Sequence, residues 1–207
     1  MDGELGHART VGRQIWVRGQ EDDRREPDRL KRHRQLDPDS ADLVWVLVLA
    51  ARPARVLEIG TGSGVSTIHL ADAARRVGAR VTTVDRVAHP DVVANLARAG
   101  VGDVVDRVVQ DAGAFLRGAA REGVDLLFLD AERSEYVGYL PDLLDVLAPG
   151  ATLVVDNLLR PAPDELTAFV EAVRQHPAMS GVPVDIGHGL YLAVKGVPAS
   201  GPAQTGP

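Results

Sequence analysis

Val56-Leu57-Glu58-Ile59-Gly60-Thr61-Gly62-Ser63-Gly64 reads as a buried strand running into a glycine turn. The strand spans Arg55–Gly60, and a helix from about Gly64 to Val77 follows directly. Glycine permits the tight turn and lets a ligand come close to the backbone. The helix behind it offers free N–H groups to an anion. This context, a strand before the motif and a helix after it, is what gives a glycine motif meaning.

Outward from the turn, strand-like apolar runs alternate with helical stretches. A helix through Leu43, Val46 and Leu49, capped by Asp39 or Ser40, precedes the first strand. After the turn come a strand at Arg80–Asp85 and a helix at Asp91–Ala99. A strand at Val105–Gln110 leads to a short helix near Ala112–Arg121, and a strand at Val124–Asp130 to a helix near Ser134–Leu147. Pro149-Gly150 is expected to break that helix before a fifth strand, Thr152–Asp156. Asp164–Gln175 is the last helix, and Val182–Ile186 pairs with Leu190–Lys195 around Gly187-His188-Gly189. The alternation predicts a doubly wound, mostly parallel α/β sheet. The near-continuous apolar runs Val124–Leu129 and Thr152–Val155 suit strands covered on both faces, and the closing pair adds an antiparallel edge.

One domain is expected over residues 39–196, since 207 residues suffice for one core and show no internal repeat. Residues 1–38 form a charged arm in which arginines and Lys31 interleave with acids. It reads as a solvated arm or surface helix, as a lid or dimerisation arm over the active site, or as a nucleic-acid contact. Residues 197–207 lack core-forming content and are expected to be disordered. Aromatics are only 4%, so the core must be built from Val, Leu, Ala and Ile, and few platforms remain for a planar substrate. A net charge of −6 argues against general binding to a phosphate backbone, so nucleic acid is not an expected partner. The absence of cysteine excludes disulfides, thiolate metal sites and cysteine nucleophiles. No apolar run reaches membrane-spanning length and the N-terminus is polar, so the cytoplasm is the expected compartment.

The dinucleotide fingerprint needs G-x-G-x-x-G, and here Val65 takes the sixth position. The form Gly60-x-Gly62-x-Gly64 with Glu58 just before it suits S-adenosylmethionine better. The ammonium of that cofactor wants a carboxylate, and its carboxylate wants N–H groups or the Ser66 hydroxyl. Asp85, closing the second strand, reaches the ribose hydroxyls in this topology, and Asp111 and Ala112 follow the third strand, where an adenine would lie. A bare strand-to-helix turn would not need an acid at both strand ends. Asp130 ends the fourth strand and Asp156-Asn157 the fifth, so all three fall at the carboxyl edge of the sheet. Two carboxylates and an amide oxygen fit a hard cation such as Mg²⁺. Simple helix capping would leave their clustering unexplained. Together the two sets of residues suggest a metal-dependent methyl transfer.

Over about residues 40 to 195 the chain resembles the cation-dependent O-methyltransferases of the catechol and caffeoyl-coenzyme A type. Val56–Ala71, Val81–Asp85, Asp125–Tyr139, Leu147–Leu159 and Ile186–Lys195 carry the resemblance. It implies a single Rossmann-like class I methyltransferase domain with a seven-stranded sheet. It also implies Mg²⁺ or another divalent cation on Asp130, Asp156 and Asn157. S-adenosylmethionine contacts are implied for Glu58, Gly60, Ser66, Asp85 and Ala112, with Thr61, Gly62 and Asp111 in the same turns. By resemblance, a vicinal diol chelates the metal and one oxygen attacks the methyl group in line, so catalysis is mainly positioning and metal activation. A small hydroxylated acceptor and a homodimer are the partners the family implies.

Two departures stand out. The family usually has Asp-Ala-Asp-Lys, with the lysine as general base, whereas this chain has Asp130-Ala131-Glu132-Arg133. Arginine stays protonated and is a poor base. Arg133 then orients or stabilises the reacting oxyanion beside Asp130, binds a substrate carboxylate, or is a surface residue in a repurposed enzyme. His188 stands where the family often has Asp in a Gly-Asp-Gly turn; it is a solvated residue or a neutral imidazole replacing the lost base. His69 and Trp45 read as packing residues. His89 is placed near the adenine edge, and Trp16 over the substrate pocket or in a dimer contact. The leading expectation is a Mg²⁺-dependent O-methyltransferase of a catechol-like or vicinal-diol substrate. The alternatives are methylation of a hydroxylated RNA base, an S-adenosylmethionine-binding pseudoenzyme lacking the lysine base, and, more distantly, a nicotinamide oxidoreductase.

Overall fold

The structure, a computed structural model, describes residues 6–28, 32–158 and 164–196. Residues 197–207, read above as a tail, and Arg29 and Lys31 of the charged run lie outside the described residues. In chain order the elements are α1 (His7–Arg25), α2 (Pro38–Ala51), β1 (Arg55–Ile59), α3 (Val65–Val77), β2 (Arg80–Asp85), α4 (Val92–Ala99), β3 (Val105–Val109), α5 (Ala112–Gly118), β4 (Val124–Leu129), α6 (Tyr136–Val146), β5 (Leu147–Asp156), α7 (Asp164–Gln175), β6 (Met179–Val184) and β7 (Leu190–Lys195). The strands form one seven-stranded sheet in the order β3-β2-β1-β4-β5-β7-β6. β1 to β5 pair in parallel, and β7 runs antiparallel to both β5 and β6. The expected doubly wound sheet with an antiparallel edge is the observed one.

Because side chains alternate across a strand, each central strand feeds two helical layers. Val56, Val81, Leu126, Phe128 and Val154 pack with α1–α4. Leu57, Ile59, Leu127, Leu129, Leu153 and Val155 pack with α5–α7. Both faces are buried, which is why these strands read as near-continuous apolar runs.

Three boundaries differ from the sequence reading. β5 starts at Leu147, not Thr152, and α6 runs straight into it. Val124 pairs with Leu147 but Leu126 with Thr152, so the extra residues, Pro149 and Gly150 among them, fall in the irregular part of that ladder. A proline without an N–H is tolerated there, so it marks a bulge and not a break. β6 begins at Met179, earlier than the expected Val182, and its Pro183 is tolerated because the strand lies at the sheet edge. The N-cap of α2 is Asp37, whose carboxylate accepts from the N–H groups of Asp39 and Ser40. Pro38 at the first helical position moves the cap ahead of the two residues expected to provide it.

Helix α1 buries Ala8, Val11, Gly12, Ile15 and Gly19. A Cβ on Gly12 would lie 2.7 Å from Cε1 of His69, so this glycine lets α1 lie close against α3. His69 is buried, its Nδ1 2.9 Å from the Val65 carbonyl oxygen, as a packing residue would be. Trp45 packs as expected, donating from Nε1 to Asp72 at 2.7 Å beneath the Arg9 guanidinium, 4.2 Å from the ring centre. Trp16 packs against the same core and does not line the cleft described below. Among the described residues no helix is long and apolar enough to cross a membrane.

Candidate functional site

The turns that follow β1, β2 and β4 enclose a cleft of about 460 Å³, within the range of small-molecule sites. Gly60 stands at its centre with φ 104, and a Cβ there would lie 1.9 Å from the Asp130 carbonyl oxygen. Only glycine allows this backbone conformation and this approach together. The Gly60 N–H donates to the Val84 carbonyl at 2.8 Å, and the Asp130 N–H to the Ile59 carbonyl at 2.9 Å. The three turns are thereby laced into one floor.

Gly60, Thr61, Gly62, Ser66, Asp85 and Ala112 all line the cleft. Asp85 also organises the turn: its Oδ2 accepts the Thr61 and Gly62 N–H groups, both at 3.0 Å, and its Oδ1 accepts that of Val87 at 2.9 Å. Two of the turn's N–H groups are therefore already used. The donors left for an anion are at the start of α3, where no side chain caps the helix.

Two of the residues expected to contact the cofactor do not line the cleft. Asp111 does not line the cleft; its carboxylate caps α5 by accepting the Ala114 N–H at 2.9 Å. Glu58 is fully buried under the turn and also does not line the cleft. The Thr67 and Thr83 hydroxyls donate to its Oε2, both at 2.5 Å, while Oε1 accepts no hydrogen bond among the described residues. Burial pushes the Glu58 carboxyl up to about 7; the hydroxyls of Ser66, Thr67 and Thr83 work against this, and the charge of Asp130 adds to it. Glu58 thus braces β1, β2 and α3 from below.

A raised carboxyl pKa has a defined sign. The protonated Glu58 stabilises the fold fully below its ordinary value of 4.5, and that contribution is lost as pH rises to about 7. Glu58→Gln should therefore melt at a temperature that changes less between pH 4.5 and 7 than that of the wild type. Parallel melting curves for the two proteins would be the contrary result.

Asp130, Asp156 and Asn157 come together because of strand register. Leu129 pairs with Val155, so the next residue of each strand, Asp130 and Asp156, ends beside the other. Asn157 follows with φ 69, a left-handed conformation that Asn tolerates better than most residues. Its Nδ2 donates to Asp130 Oδ1 at 3.1 Å and to Asp156 Oδ2 at 2.6 Å. Burial pushes Asp130 up to about 6 and Asp156 well above the usual range, Asp156 also feeling the charge of Asp130. Asp156 Oδ1 is buried without a hydrogen-bond partner. A buried carboxylate with an orphaned oxygen beside a half-buried one is what a bound divalent cation would satisfy. A half-turn of the Asn157 amide, nearly isosteric, presents its oxygen as a third donor. Among the described residues no third His, Cys, Asp or Glu joins them. The fully buried Tyr136 pins the loop after Asp130, its hydroxyl accepting the Ala131 N–H at 2.7 Å.

Arg133 lines the cleft, and its charge pulls both Asp130 and Asp156 downward. His188 does not line it; its backbone N–H meets Asp37 at 3.3 Å and its ring Nδ1 lies 4.0 Å from the same carboxylate. His89 lines the cleft beside Asp85, its Nε2 3.6 Å from Oδ2. Residues 32–36 of the arm, Arg86 and Tyr139 also line it; the sequence offered the arm as a lid over the site but gave none of these residues a role there. Arg86 pairs with Glu135, which also accepts the Tyr139 hydroxyl. In the sequence, residues 32–36 sat in an undifferentiated charge run, and nothing in their spacing marked them.

Residues 57–158 match the family described as "Methyltransferase domain". A catechol O-methyltransferase of Mycobacterium tuberculosis is 41% identical over 116 residues, 56% of this chain and 53% of that protein. A Mycolicibacterium smegmatis protein assigned to the O-methyltransferases is 30% identical over 174 residues, 76% of this chain and 81% of that one. The crystal structure of cofactor-bound Rv0187 from MTB superposes with a TM-score of 0.75 at 27% identity, over 90% of each chain. The chain spans about half the length of the first curated relatives it matches, from 50% to 58%.

Proposed function

The chain belongs to the S-adenosylmethionine-dependent O-methyltransferases of the catechol and caffeoyl-coenzyme A type, and from that premise we propose that it methylates a hydroxyl of a small catechol-like or vicinal-diol molecule with Mg²⁺ or another divalent cation. The observation that carries this reading is the meeting of Asp130 and Asn157, which line the glycine cleft, with Asp156, buried directly behind them.

Asp130, Asp156 and the Asn157 amide oxygen would hold the cation. When bound, it supplies Lewis acidity that lowers the pKa of an acceptor hydroxyl. Gly60 would let S-adenosylmethionine approach the backbone of the turn. The start of α3 and the Ser66 hydroxyl would hold its carboxylate, Asp85 its ribose hydroxyls and Ala112 its adenine. Glu58 acts from beneath by keeping the turn rigid, which preserves the alignment of methyl and acceptor oxygen. A guanidinium is a poor base, so Arg133 is not assigned the removal of the proton. Its charge favours the deprotonated acceptor oxygen, and the proton leaves to water.

The test is S-adenosylhomocysteine formation over a panel of diols, with Mg²⁺ and with excess chelator. Turnover is expected with Mg²⁺ and should fall to background with chelator, while S-adenosylmethionine binding persists. Undiminished activity in chelator would sink the metal role. Cofactor binding without turnover on any diol would instead favour the binding-protein reading motivated by the missing lysine.

A further inference from the structure

At Gln35 the N-terminal arm meets the glycine turn. The side chain is buried, and its Nε2 donates to the Ser63 hydroxyl oxygen at 2.6 Å. The segment that carries it is fixed on several sides. The His33 and Arg34 N–H groups donate to Asp23 of α1, at 2.7 and 3.3 Å. Leu36 is buried in the core, and Asp37 caps α2. Gly19 of α1 lies against the Gln35 amide: a Cβ there would come 2.1 Å from Oε1 and 2.8 Å from Nε2. Glycine weakens a helix interior, and here its bare backbone makes room for this amide. The same contact orients the amide. Oε1 accepts no hydrogen bond among the described residues and faces the Cα–H of Gly19. The reverse orientation would bury an N–H₂ group, a double donor, in place of a single acceptor.

Ser63 immediately precedes Gly64, the N-cap of α3. Its carbonyl accepts from Asn95 Nδ2 of α4 at 3.0 Å, so its backbone is held as firmly as its side chain. Ser63 and Ser66 both line the cleft, one on each side of the helix start. A hydroxyl can accept and donate at once. Because the Ser63 oxygen already accepts from Gln35, its O–H is left to donate, and among the described residues nothing accepts it. We propose that Gln35 is a positioning residue for S-adenosylmethionine: it holds the Ser63 hydroxyl so that the O–H donates to the cofactor's carboxylate, beside Ser66. This rests on the placement of that carboxylate at the start of α3, and it involves neither the acceptor nor the cation.

The experiment measures binding of S-adenosylhomocysteine and of its decarboxylated analogue, which keeps the adenosine and the amine, by calorimetry without metal or acceptor. The wild type is expected to bind the carboxylate-bearing ligand at least about 10-fold more tightly. Ser63→Ala and the near-isosteric Gln35→Met should each weaken S-adenosylhomocysteine about 5- to 20-fold, the size of one hydrogen bond to a charged group, and leave the analogue within about twofold. The double variant should bind no more weakly than either single one, since both remove the same donor. Gln35→Glu keeps the shape of the side chain if Gln35→Met fails to fold, and offers Ser63 an acceptor in place of a donor. It should weaken S-adenosylhomocysteine on its own and cause no further loss in Ser63→Ala. Equal binding of both ligands by the wild type would overturn the proposal together with the placement of the carboxylate. A wild-type preference that survives in the variants would overturn the proposal and leave that placement standing. Equal loss of both ligands, or losses that add in the double variant, would show that Gln35 acts on the fold and not through Ser63, which overturns it as well.

Discussion

Asp156→Ala is expected to lower S-adenosylhomocysteine formation more than about 100-fold, beyond the usual cost of losing an outer-shell partner of a metal ligand. S-adenosylmethionine affinity should stay within about twofold. Asp156 does not line the cleft, so the cofactor loses no contact, whereas the proposed cation keeps only Asp130 and Asn157. Stability should move the other way. In the metal-free protein Asp156 is buried next to Asp130, and both carboxyls are raised. Such groups stabilise below their ordinary pKa and lose that contribution as pH rises through the raised value. In chelator above about pH 6, the near-isosteric Asp156→Asn should therefore melt higher than the wild type. Adding Mg²⁺ should raise the wild-type melting temperature by mass action and leave Asp156→Ala unmoved. A variant that loses activity and also melts lower in chelator would mark Asp156 as a structural residue.

Gly60→Ala is the second large effect. The new Cβ would lie 1.9 Å from the Asp130 carbonyl oxygen, a backbone atom that no side-chain rotation can move away, at a φ of 104 that alanine resists. Strain and overpacking of this kind cost about 3 kcal/mol or more together. For a chain of this size that is a fall in melting temperature of roughly 6–12 °C. Function should fall further than stability predicts, because relief of the clash displaces Asp130 and opens the lacing between β1 and β4 that forms the cleft floor. Calorimetric melting with S-adenosylmethionine titration checks both. A folded Gly60→Ala with wild-type cofactor affinity would show that the close approach is dispensable.

Much of this molecule was legible in local sequence. The alternation of apolar runs and helical stretches, the strand before Gly60 and the helix after Gly64 follow from side-chain periodicity and the permissiveness of glycine, which need no distant partner. The strand-end positions of Asp130 and Asp156-Asn157 were readable for the same reason. Less local features were misread. Pro149-Gly150 looked like a break but sits within β5, because an irregular ladder opposite Val124 absorbs the residues that do not pair.

The sequence by itself determined the fold class, the glycine turn and the strand-end places of Asp130, Asp156 and Asn157, since each depends on residues within one turn or strand. The tertiary structure decided what those residues face. Leu129 paired with Val155 is what sets two carboxylates side by side and raises them by burial. Stacking of β1 between β2 and β4 hides Glu58 beneath the turn it was expected to serve. Asp23 and Ser63, 11 and 28 residues from their partners, hold residues 33–35 so that Gln35 meets the glycine turn. These outcomes depend on register and on contacts between separated segments, which periodicity along a single stretch of chain does not encode.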